Sequence, residues 1–401
     1  MAKEKKAAGY LTGKEIRAIA KENRKITKRL EAYKNRKAEE AEFLTEMKNP
    51  ENILEIEDLH TYFFTEQGTV KAVNGVSYDV PKNAVVGVVG ESGCGKSVTS
   101  MSVMRLIQGP AGQIVEGAIR FKSWEYKRDE KGQPIAFGDG YEMVEKIYDI
   151  AKMPIHEIHR IRGKQIAMIF QEPMTSLNPV FTIGEQLDEV TFIHTPGATK
   201  EMAKAKSEEM LRLVGIIPEN VYKAFPHELS GGMRQRVMIA MALAAEPRLI
   251  IADEPTTALD VTIQAQILDL LQDIKNKIDG SILLITHDLG VIAEMADYVV
   301  VMYAGKVIEK GTVYEIFQDP KHPYTIGLQK SKPTMGLDDS TELYNIPGNV
   351  PNPIDMPDHC YFKERCAMCT KKCSGDYPGM VQLSPTHFVA CHLYEEEKEN
   401  G

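Results

Sequence analysis

Long apolar runs are missing from this chain of 401 residues. It contains no apolar stretch of about 18 residues, and runs such as Val237 to Ala245 are too short to cross a bilayer. The N-terminal segment is charged, and no apolar secretory core follows it. We therefore expect a cytosolic chain whose role at a membrane, if it has one, comes through partner proteins.

Cysteine is scarce over most of the sequence. Of the six cysteines, only Cys94 lies outside the segment from Cys360 to Cys391. The body of the protein therefore cannot be a disulfide framework. In a cytosolic chain, clustering of this kind favours metal ligation over disulfide bonds.

Basic residues are in deficit in the body of the chain. The formal net charge is −9, yet residues 1–48 contain 14 Lys and Arg against 8 Glu, so the remainder carries −15. An acidic body argues against a broad nucleic-acid-binding face.

The first 50 residues predict a basic helical arm. Apolar residues recur at three- and four-residue steps and form a stripe in which Asn23 fills one position; they are Ile16, Ile19, Ile26, Leu30 and Tyr33. Basic residues occupy the other face of this helix. Three interpretations are open. The arm is a solvated helix that packs on a partner or is partly disordered, an amphipathic helix on anionic lipid, or a segment that binds RNA or DNA.

Strand patterns follow the arm. Residues 53–65 and 70–80 predict two strands around a turn at 66–68, and Ala84 to Val89 predicts a fully buried strand. We expect a helix over 98–108. Residues 123–152 are a polar insertion without clear periodicity, to which the sequence assigns no role. Helical patterns dominate 183–245.

The segment Gly90 to Ser97 fits the phosphate-loop pattern G-x-x-x-x-G-K-[ST] between a buried strand and a helix. Glycines let backbone N–H groups surround phosphate oxygens, and the helix N-terminus favours negative charge. We expect Lys96 to neutralise the β and γ phosphates and Ser97 to ligate Mg²⁺. The nucleotide-binding residues expected here are Gly90, Glu91, Ser92, Gly93, Cys94, Gly95, Lys96, Ser97 and Val98, with Cys94 a small spacer.

Three polar positions follow apolar strands. Asp253 ends the run Leu249 to Ala252, so its carboxylate projects at the strand's carboxyl edge, where it can hold Mg²⁺ directly or through water. Glu254 points elsewhere and suits the orientation or deprotonation of an attacking water. His287 follows Ile282 to Thr286, and Gln171 follows Ile166 to Phe170. Both are candidates for the γ-phosphate region, and Gln171 also for Mg²⁺.

The segment Leu229 to Arg236 has no evident task at its own chain's phosphate loop. Its Ser230-Gly231-Gly232 run precedes a helix-forming stretch and is typical of a second phosphate-binding helix N-terminus. The sequence therefore predicts an ATP site completed by a second subunit.

Taken in order, these motifs resemble the ATP-binding subunit of an ABC transporter over roughly residues 53–315. The resemblance rests on the phosphate loop, Gln171, Leu229–Arg236, Asp253-Glu254, Ala258-Leu259-Asp260 and His287. It implies an α/β fold, namely a P-loop NTPase (RecA-like) ABC ATPase core with an antiparallel β subdomain and a helical subdomain at about 172–240. The ATPase domain would span 51–320, between an arm at 1–50 and a C-terminal cysteine-containing extension at 321–401.

The resemblance also implies roles at a head-to-tail dimer interface. Ser230 and Gly232 would bind the γ-phosphate held by the partner's loop, and Leu259 and Asp260 would communicate across the interface. Phe63, or less well its neighbour Tyr62, matches the aromatic residue that stacks on adenine. Every position that the family uses for ATP hydrolysis carries the family's residue in this sequence, so we expect an active ATPase.

Further segments are similar to the oligopeptide/dipeptide (and nickel) importer ATPases of the "D" type. These segments are Gln171 to Pro179, Ala258 to Gln266, His322-Pro323-Tyr324-Thr325 and Ile346-Pro347-Gly348. The resemblance implies a second related ATPase subunit, two transmembrane permease subunits and an extracytoplasmic peptide-binding protein. It places the chain peripherally on the cytoplasmic face of the cell membrane. The solute is open between peptides, nickel and other small molecules.

The cysteine spacing Cys360-x5-Cys366-x6-Cys373-x17-Cys391 matches that subfamily. The resemblance links it to a [4Fe–4S] cluster, which needs four thiolates. Cys369 is an additional candidate. A zinc ion on the same thiolates, with His387 or His392, and plain reduced thiols are the alternatives. Separation from the nucleotide motifs favours a structural staple, a redox element or a partner-docking element over a hydrolytic centre.

Two other functions remain as alternatives. A soluble ABC-type ATPase of DNA repair or translation usually has two cassettes or a long coiled-coil insertion, and this sequence has neither. A redox sensor or binding module built on the cysteines, with a regulatory ATPase, is the third hypothesis.

Overall fold

The computed structural model describes residues 11–331 and 344–395, apart from positions 128, 130–132, 134, 138, 139, 196, 258 and 279. The helices in chain order are α1 (Gly13–Lys34), α2 (Lys96–Val103), α3 (Pro173–Ser176), α4 (Ile183–His194), α5 (Lys200–Leu213), α6 (Pro218–Val221), α7 (Gly231–Leu243), α8 (Val261–Ile278), α9 (Leu289–Met295), α10 (Val313–Gln318) and α11 (Pro323–Lys330). In this part of the chain, no helix is both long and apolar enough to span a bilayer.

The strands are β1 (Asn52–Thr65), β2 (Gly68–Pro81), β3 (Val85–Val89), β4 (Gly112–Tyr126), β5 (Ala136–Phe137), β6 (Gly140–Tyr141), β7 (Met143–Asp149), β8 (Ile166–Ile169), β9 (Leu249–Asp253), β10 (Ser281–Ile285), β11 (Tyr298–Tyr303), β12 (Lys306–Thr312), β13 (Val381–Gln382) and β14 (Phe388–Val389). They form a large sheet with the order β13-β14-β12-β11-β3-β10-β9-β8, a second sheet with the order β2-β1-β4-β7, and the short pair β5-β6.

The large sheet is parallel from β11 to β8 and antiparallel beyond β11. Every residue of β3, β9 and β10 is buried. Strands buried on both faces read as continuous Val, Ile and Leu runs, as these three do. Because they run parallel, their carboxyl ends share one edge, which is where ligands of such sheets bind.

Alternate residues of these strands enter two different cores. Val85, Ile250 and Leu284 pack with the helices on one face, whereas Val86 and Ile251 pack with the antiparallel sheet on the other. Side chains of a strand point alternately to opposite faces, so one apolar run serves both layers. The α/β fold with an antiparallel β layer is confirmed.

The helical region lies between β8 and β9 in the chain. Within it, α4, α5 and α7 pack against one another and α7 also contacts β8. Their buried faces join the core on the helical side of the large sheet, through residues such as Leu187, Leu211 and Val237. The predicted helical pattern over 183–245 is therefore confirmed, although short turns interrupt it.

Two parts of the polar segment 123–152, the end of β4 and the strand β7, belong to the antiparallel sheet. Strand β4 continues to Tyr126, and β7 returns beside it in the register Tyr126↔Met143 to Arg120↔Asp149. The structure therefore corrects the view of this segment as an aperiodic insertion, because β7 adds an edge strand to the sheet.

The helix after the phosphate loop is shorter than expected. The sequence predicted a helix over 98–108, but α2 ends at Val103 and Met104 caps it. Arg105 has φ of 52°, a left-handed conformation that a continuing helix does not allow. The expectation was wrong for the last five positions.

The N-terminal arm packs on its own chain. Helix α1 begins with a capping box formed by Thr12 and Glu15 and contacts β1 and β4. The Asn23 amide donates to the Thr65 carbonyl at 2.8 Å, and the Gln113 amide donates to Glu31 at 2.6 Å. The stripe is partly buried, with Ile16, Ile19, Ile26 and Leu30 half-buried and Tyr33 exposed, so the interpretation of α1 as a helix on anionic lipid stays a prediction.

The C-terminal extension is also packed on the ATPase core. Strand β14 pairs with β12, and the Lys71 N–H donates to the Pro353 carbonyl at 3.1 Å. Tyr324, Met356 and Phe362 belong to the same apolar core as α4 to α9. The extension therefore shares a core with the ATPase domain.

Candidate active site

Three glycines give the phosphate loop its shape. Gly90, Gly93 and Gly95 have φ of 152°, 79° and 101°, which favour glycine. A Cβ on Gly90 would lie 2.2 Å from the Met302 carbonyl oxygen, and one on Gly95 would lie 2.3 Å from that of Ala72. The loop therefore packs closely against the backbones of β11 and β2 at Gly90 and Gly95. At Gly93, by contrast, a Cβ would contact nothing within 4 Å.

Lys96 folds back over this loop. Its side chain is buried, and its Nζ donates to the Gly90 carbonyl at 2.7 Å and to the Glu91 carbonyl at 3.3 Å. The ammonium is therefore held at the mouth of the loop, where a phosphate would replace these carbonyls. Burial raises the pKa of the neighbouring Cys94 thiol, which stays neutral as a spacer should.

Ser97 and Asp253 form a pair of oxygen donors. The Ser97 hydroxyl donates to Asp253 Oδ1 at 3.0 Å. Burial raises the pKa of Asp253, and the hydrogen bond from Ser97 opposes that rise. A hydroxyl and a buried carboxylate are ligands that Mg²⁺ accepts together with water and phosphate oxygens. The donor set fits the ion.

Glu254 is the centre of a second cluster. Gln171 Nε2 donates to Glu254 Oε2 at 2.9 Å, and His287 Nδ1 lies 3.4 Å from Oε1. Glu254 has φ of 47°, and its N–H donates to the Ile285 carbonyl at 2.8 Å, so its backbone turns sharply after β9. Three residues expected from distant parts of the sequence therefore meet at the carboxyl edge of the large sheet.

Thr257 belongs to this cluster although the sequence did not single it out. Its hydroxyl donates to Glu254 Oε2 at 2.9 Å. Only its position three residues after Glu254 could have suggested it. Gln235 was missed as well: it is buried in α7, and its amide donates to the Pro255 carbonyl at 2.6 Å, linking α7 to the Glu254 turn.

The segment Ser230-Gly231-Gly232 forms the N-terminus of α7. Ser230 caps the helix by accepting from the Met233 N–H at 3.3 Å, and Ser230 and Gly231 are exposed. A Cβ on Gly232 would lie 3.1 Å from Ile263, whose N–H donates to the Asp260 carboxylate at 3.0 Å. The structure thus places Asp260 beside the start of α7. Ala258, the first residue of its motif, lies outside the described residues.

Phe63 and Tyr62 have different surroundings. A Cβ on Gly112 would lie 2.9 Å from the Phe63 ring. The Tyr62 hydroxyl donates to Asn74 Oδ1 at 2.7 Å, and burial raises the Tyr62 pKa to about 12. The backbone N–H of Asn74 donates to the Gly305 carbonyl at 2.8 Å, near the phosphate loop. The adenine-stacking role of either ring remains a prediction.

The extension reaches the phosphate loop, which the sequence did not suggest. Arg365 Nη1 and Nη2 donate to Glu91 Oε2 and Oε1 at 2.7 and 3.0 Å, across 274 positions of the chain. The Glu91 N–H donates to the Tyr324 hydroxyl at 2.8 Å. Distance along the sequence from the nucleotide motifs was therefore a poor guide to distance in space.

Four cysteines of the extension lie close together. Burial raises the pKa of Cys360 to about 12, and the neighbouring Cys373, Cys391 and Cys366 add to the rise. The Cys360 N–H donates to the Cys373 carbonyl at 3.3 Å. Cys373 and Cys391 are buried, Cys369 is exposed, and none of the six cysteines forms a disulfide. An iron–sulfur cluster needs four thiolates, and none of these cysteines is lost to a disulfide.

The histidines proposed as zinc ligands are engaged elsewhere. His387 Nε2 lies 2.8 Å from Glu309, while His392 has Glu395 at 2.7 Å from Nδ1 and the Asp376 carbonyl at 3.2 Å from Nε2. His392 therefore has no ring nitrogen left for a metal. Among the residues that the structure describes, no group of three or more His, Cys, Asp or Glu is arranged around a single metal ion.

Comparison with known proteins agrees with the geometry. The ABC transporter family matches residues 73–257, and the oligopeptide/dipeptide transporter C-terminal region matches residues 308–373. The chain is 46% identical over 347 residues to the oligopeptide transport ATP-binding protein AppD of Bacillus subtilis, covering 86% of this chain and 98% of that protein. It is 48% identical over 342 residues to OppD of the same organism, covering 85% and 88%.

Solved structures share the fold. The dimeric ATP-binding cassette MJ0796 bound to ADP and Pi has a TM-score of 0.52 at 22% identity, covering 65% of this chain and 98% of that chain. CbiO1 of Clostridium perfringens has a TM-score of 0.51 at 23% identity, covering 70% and 96%. Fold, site and sequence define an ABC-type ATPase. Within that class, the chain belongs to the family of oligopeptide/dipeptide transport ATP-binding proteins.

Proposed function

We propose that this chain hydrolyses ATP to drive peptide import through membrane permease subunits. The observation that carries the proposal is the assembly of Gln171, Glu254 and His287 beside the Ser97–Asp253 pair, at the edge where the phosphate loop leaves β3. Peptide is the favoured solute because relatives at 45–48% identity are oligopeptide and dipeptide transport proteins.

The residues have distinct roles in this proposal. The loop N–H groups and Lys96 hold the β and γ phosphates, and Phe63, or less well its neighbour Tyr62, supplies the adenine contact. Ser97 and Asp253 would hold Mg²⁺, which would neutralise charge on the phosphates. Glu254 orients the attacking water and accepts its proton, with Gln171 and His287 fixing the carboxylate and facing the γ-phosphate.

The exposed N-terminus of α7 serves a second subunit. Ser230, Gly231 and Gly232 present unpaired backbone N–H groups and a positive helix end to the γ-phosphate of a partner ATPase. Asp260, beside them, contacts the partner across the same interface. The partner is a related ATPase, and closure of the pair on ATP moves two permease subunits, which receive peptide from an extracytoplasmic binding protein. The chain thereby attaches peripherally to the cytoplasmic face of the membrane.

Reconstitution tests the proposal. The chain, its sister ATPase and the two permease subunits are placed in vesicles with the peptide-binding protein outside. We expect peptide uptake that depends on ATP, and loss of that uptake when Glu254→Gln is introduced. Uptake of nickel but no peptide would identify the alternative solute, and co-purification with ribosomes or DNA in place of permeases would contradict the proposal.

We also propose that Cys360, Cys366, Cys373 and Cys391 hold a [4Fe–4S] cluster. The spacing of these four cysteines and their freedom from disulfides support this, and the cluster would tie four separate stretches of the extension together. Anaerobically purified protein is expected to contain iron and acid-labile sulfide. Cys373→Ser should lose the iron, while Cys369→Ser, the matched exposed cysteine, should retain it. A colourless protein with bound zinc would overturn the assignment.

A further inference from the structure

The C-terminal extension contacts the phosphate loop through hydrogen bonds to Glu91. The two guanidinium nitrogens of Arg365 meet the two carboxylate oxygens of Glu91, a bidentate pair that fixes both groups in one plane. Arg365 is 8% exposed, so water competes little for these bonds. Arg365 Nε donates to the Pro347 carbonyl at 2.9 Å, and its Nη1 lies 3.3 Å from the Tyr303 hydroxyl.

The main chain of Glu91 is held as well. Its N–H donates to the hydroxyl of Tyr324, a fully buried residue of α11. Its carbonyl accepts from Lys96 Nζ at 3.3 Å. One residue therefore joins Arg365 and Tyr324 of the extension to the ammonium group that receives the phosphate.

The surroundings make this contact rigid. The rings of Tyr303 and Tyr324 are 4.8 Å apart, and the Phe362 ring meets them at 5.3 and 5.5 Å. The Arg365 guanidinium lies 5.7 Å from the Tyr303 ring centroid and 5.9 Å from that of Phe362. A planar cation that is packed among aromatic rings has few alternative positions.

We propose that Arg365 is a positioning residue for nucleotide binding, acting through Glu91 to hold the phosphate loop in its binding conformation. The inference rests on the proposed nucleotide site and adds a function for the extension, namely to set ATP affinity. The loop contains three glycines with positive φ, Gly90, Gly93 and Gly95, and a glycine-rich backbone has more conformational freedom to lose on ordering than other residues have. Anchoring both sides of Glu91 reduces the entropy that the loop loses when phosphate binds.

The test compares Arg365→Met, which keeps the length and apolar stem, with Arg365→Lys, which keeps the charge but not the bidentate geometry. The matched control is Thr386→Val, which removes hydrogen bonds from the extension to Glu315 at 2.9 and 3.0 Å, away from the loop. Binding of a non-hydrolysable ATP analogue with Mg²⁺ is measured by calorimetry, and thermal unfolding is measured without nucleotide.

We expect Arg365→Met to weaken analogue binding about tenfold, which corresponds to about 1.4 kcal/mol, and Arg365→Lys to restore part of it. In the assembled transporter, KM for ATP should rise while kcat changes less than about twofold, because loop order supports ground state and transition state alike. Glu91→Gln combined with Arg365→Met should be no weaker than Arg365→Met alone, as expected for residues that act as a unit.

Two outcomes would overturn the inference. One is wild-type analogue affinity in Arg365→Met. The other is that Thr386→Val loses as much analogue affinity and as much thermal stability as Arg365→Met. The loss of affinity would then come from general destabilisation of the protein. Failure of the proposed nucleotide site looks different, because the wild-type chain itself would not bind the analogue and Lys96→Ala would change nothing.

Discussion

At the scale of single residues, Glu254 has the most contacts with other candidate catalytic groups. Gln171, Thr257 and His287 all meet its carboxylate, at 2.9, 2.9 and 3.4 Å. The proposal that Glu254 is the general base can be tested by removing only the charge of its side chain.

Glu254→Gln should bind ATP with near wild-type affinity but hydrolyse it at least about 100-fold more slowly, because an amide cannot accept the proton of water. Phosphate release and analogue binding, measured side by side in the assembled transporter, check this. Asp273→Asn, an acid-to-amide change on the exposed side of α8, is the matched control. Rapid phosphate release by Glu254→Gln would show that another group is the base.

Thr257→Val should lower kcat several-fold without changing ATP affinity, since it removes one hydrogen bond that orients Glu254, a bond worth about 1 kcal/mol. Thr257→Ser retains the hydroxyl and should hydrolyse ATP like the wild type. Equal rates for the valine and serine variants would mean that the contact at 2.9 Å does not orient the base.

At the scale of secondary-structure elements, the start of α10 is tied to the extension through Glu315. Burial raises the pKa of Glu315, but hydrogen bonds from Ser384, the Thr312 N–H and Thr386 outweigh it and lower the pKa to about 2. The same carboxylate completes the capping box of α10 with Thr312. A local helix cap thus also docks the segment that follows β13.

This lowered pKa gives a pH prediction. An unfolded glutamate titrates near 4.5, so the stabilisation from Glu315 is complete above that pH and is lost as pH falls toward about 2. The melting temperature of Glu315→Gln should therefore lie well below that of the wild type at pH 7, and the difference should shrink at pH 3. Glu219→Gln, exposed in α6, should show no such trend. A difference that is constant from pH 7 to pH 3 would contradict the assignment.

Elements also show where sequence patterns succeed. Strands β3, β9 and β10 and the residues at their ends follow from local signals: continuous apolar runs, a glycine-rich loop and carboxylates at a strand end. Strand β7 and the packing of α1 did not follow, because pairing partners and docking faces depend on residues far away in the chain. The segment 123–152 lacks an alternating pattern since β7 is an edge strand with few buried positions.

The candidate site likewise contains residues that local motifs predict and one that they do not. Lys96, Ser97, Asp253 and Glu254 were predicted from spacing and residue type, and the structure brings them to one edge. Arg365 could not be predicted, because a lone arginine beside a cysteine has no distinguishing pattern and its partner Glu91 is 274 positions away.

At the scale of the whole molecule, the extension and the ATPase core share one apolar core. Phe362 is 4% exposed and packs against Tyr303 of β11 and Tyr324 of α11. A substitution of Phe362 should therefore also lower the stability of the ATPase core.

Phe362→Ala should destabilise the entire chain by about 3–5 kcal/mol, the usual cost of such a cavity. Trp124, the single tryptophan, lies in β4 outside the extension, so its fluorescence during urea unfolding reports on the core. We expect its transition to move to lower urea in Phe362→Ala but not in Leu393→Ala, which alters an exposed side chain of the extension. An unmoved Trp124 transition would show that the extension unfolds separately.

The common core limits how this protein can be rearranged. Tyr324, Ile346, Met356, Tyr361 and Phe362 fill space that the ATPase core does not fill with its own side chains. A chain cut at residue 320 would leave an apolar surface where these side chains now pack, and it would aggregate before it could be assayed. The extension is therefore not a detachable accessory, and a swap with a related importer must carry the facing residues of β11, such as Tyr303, along with it.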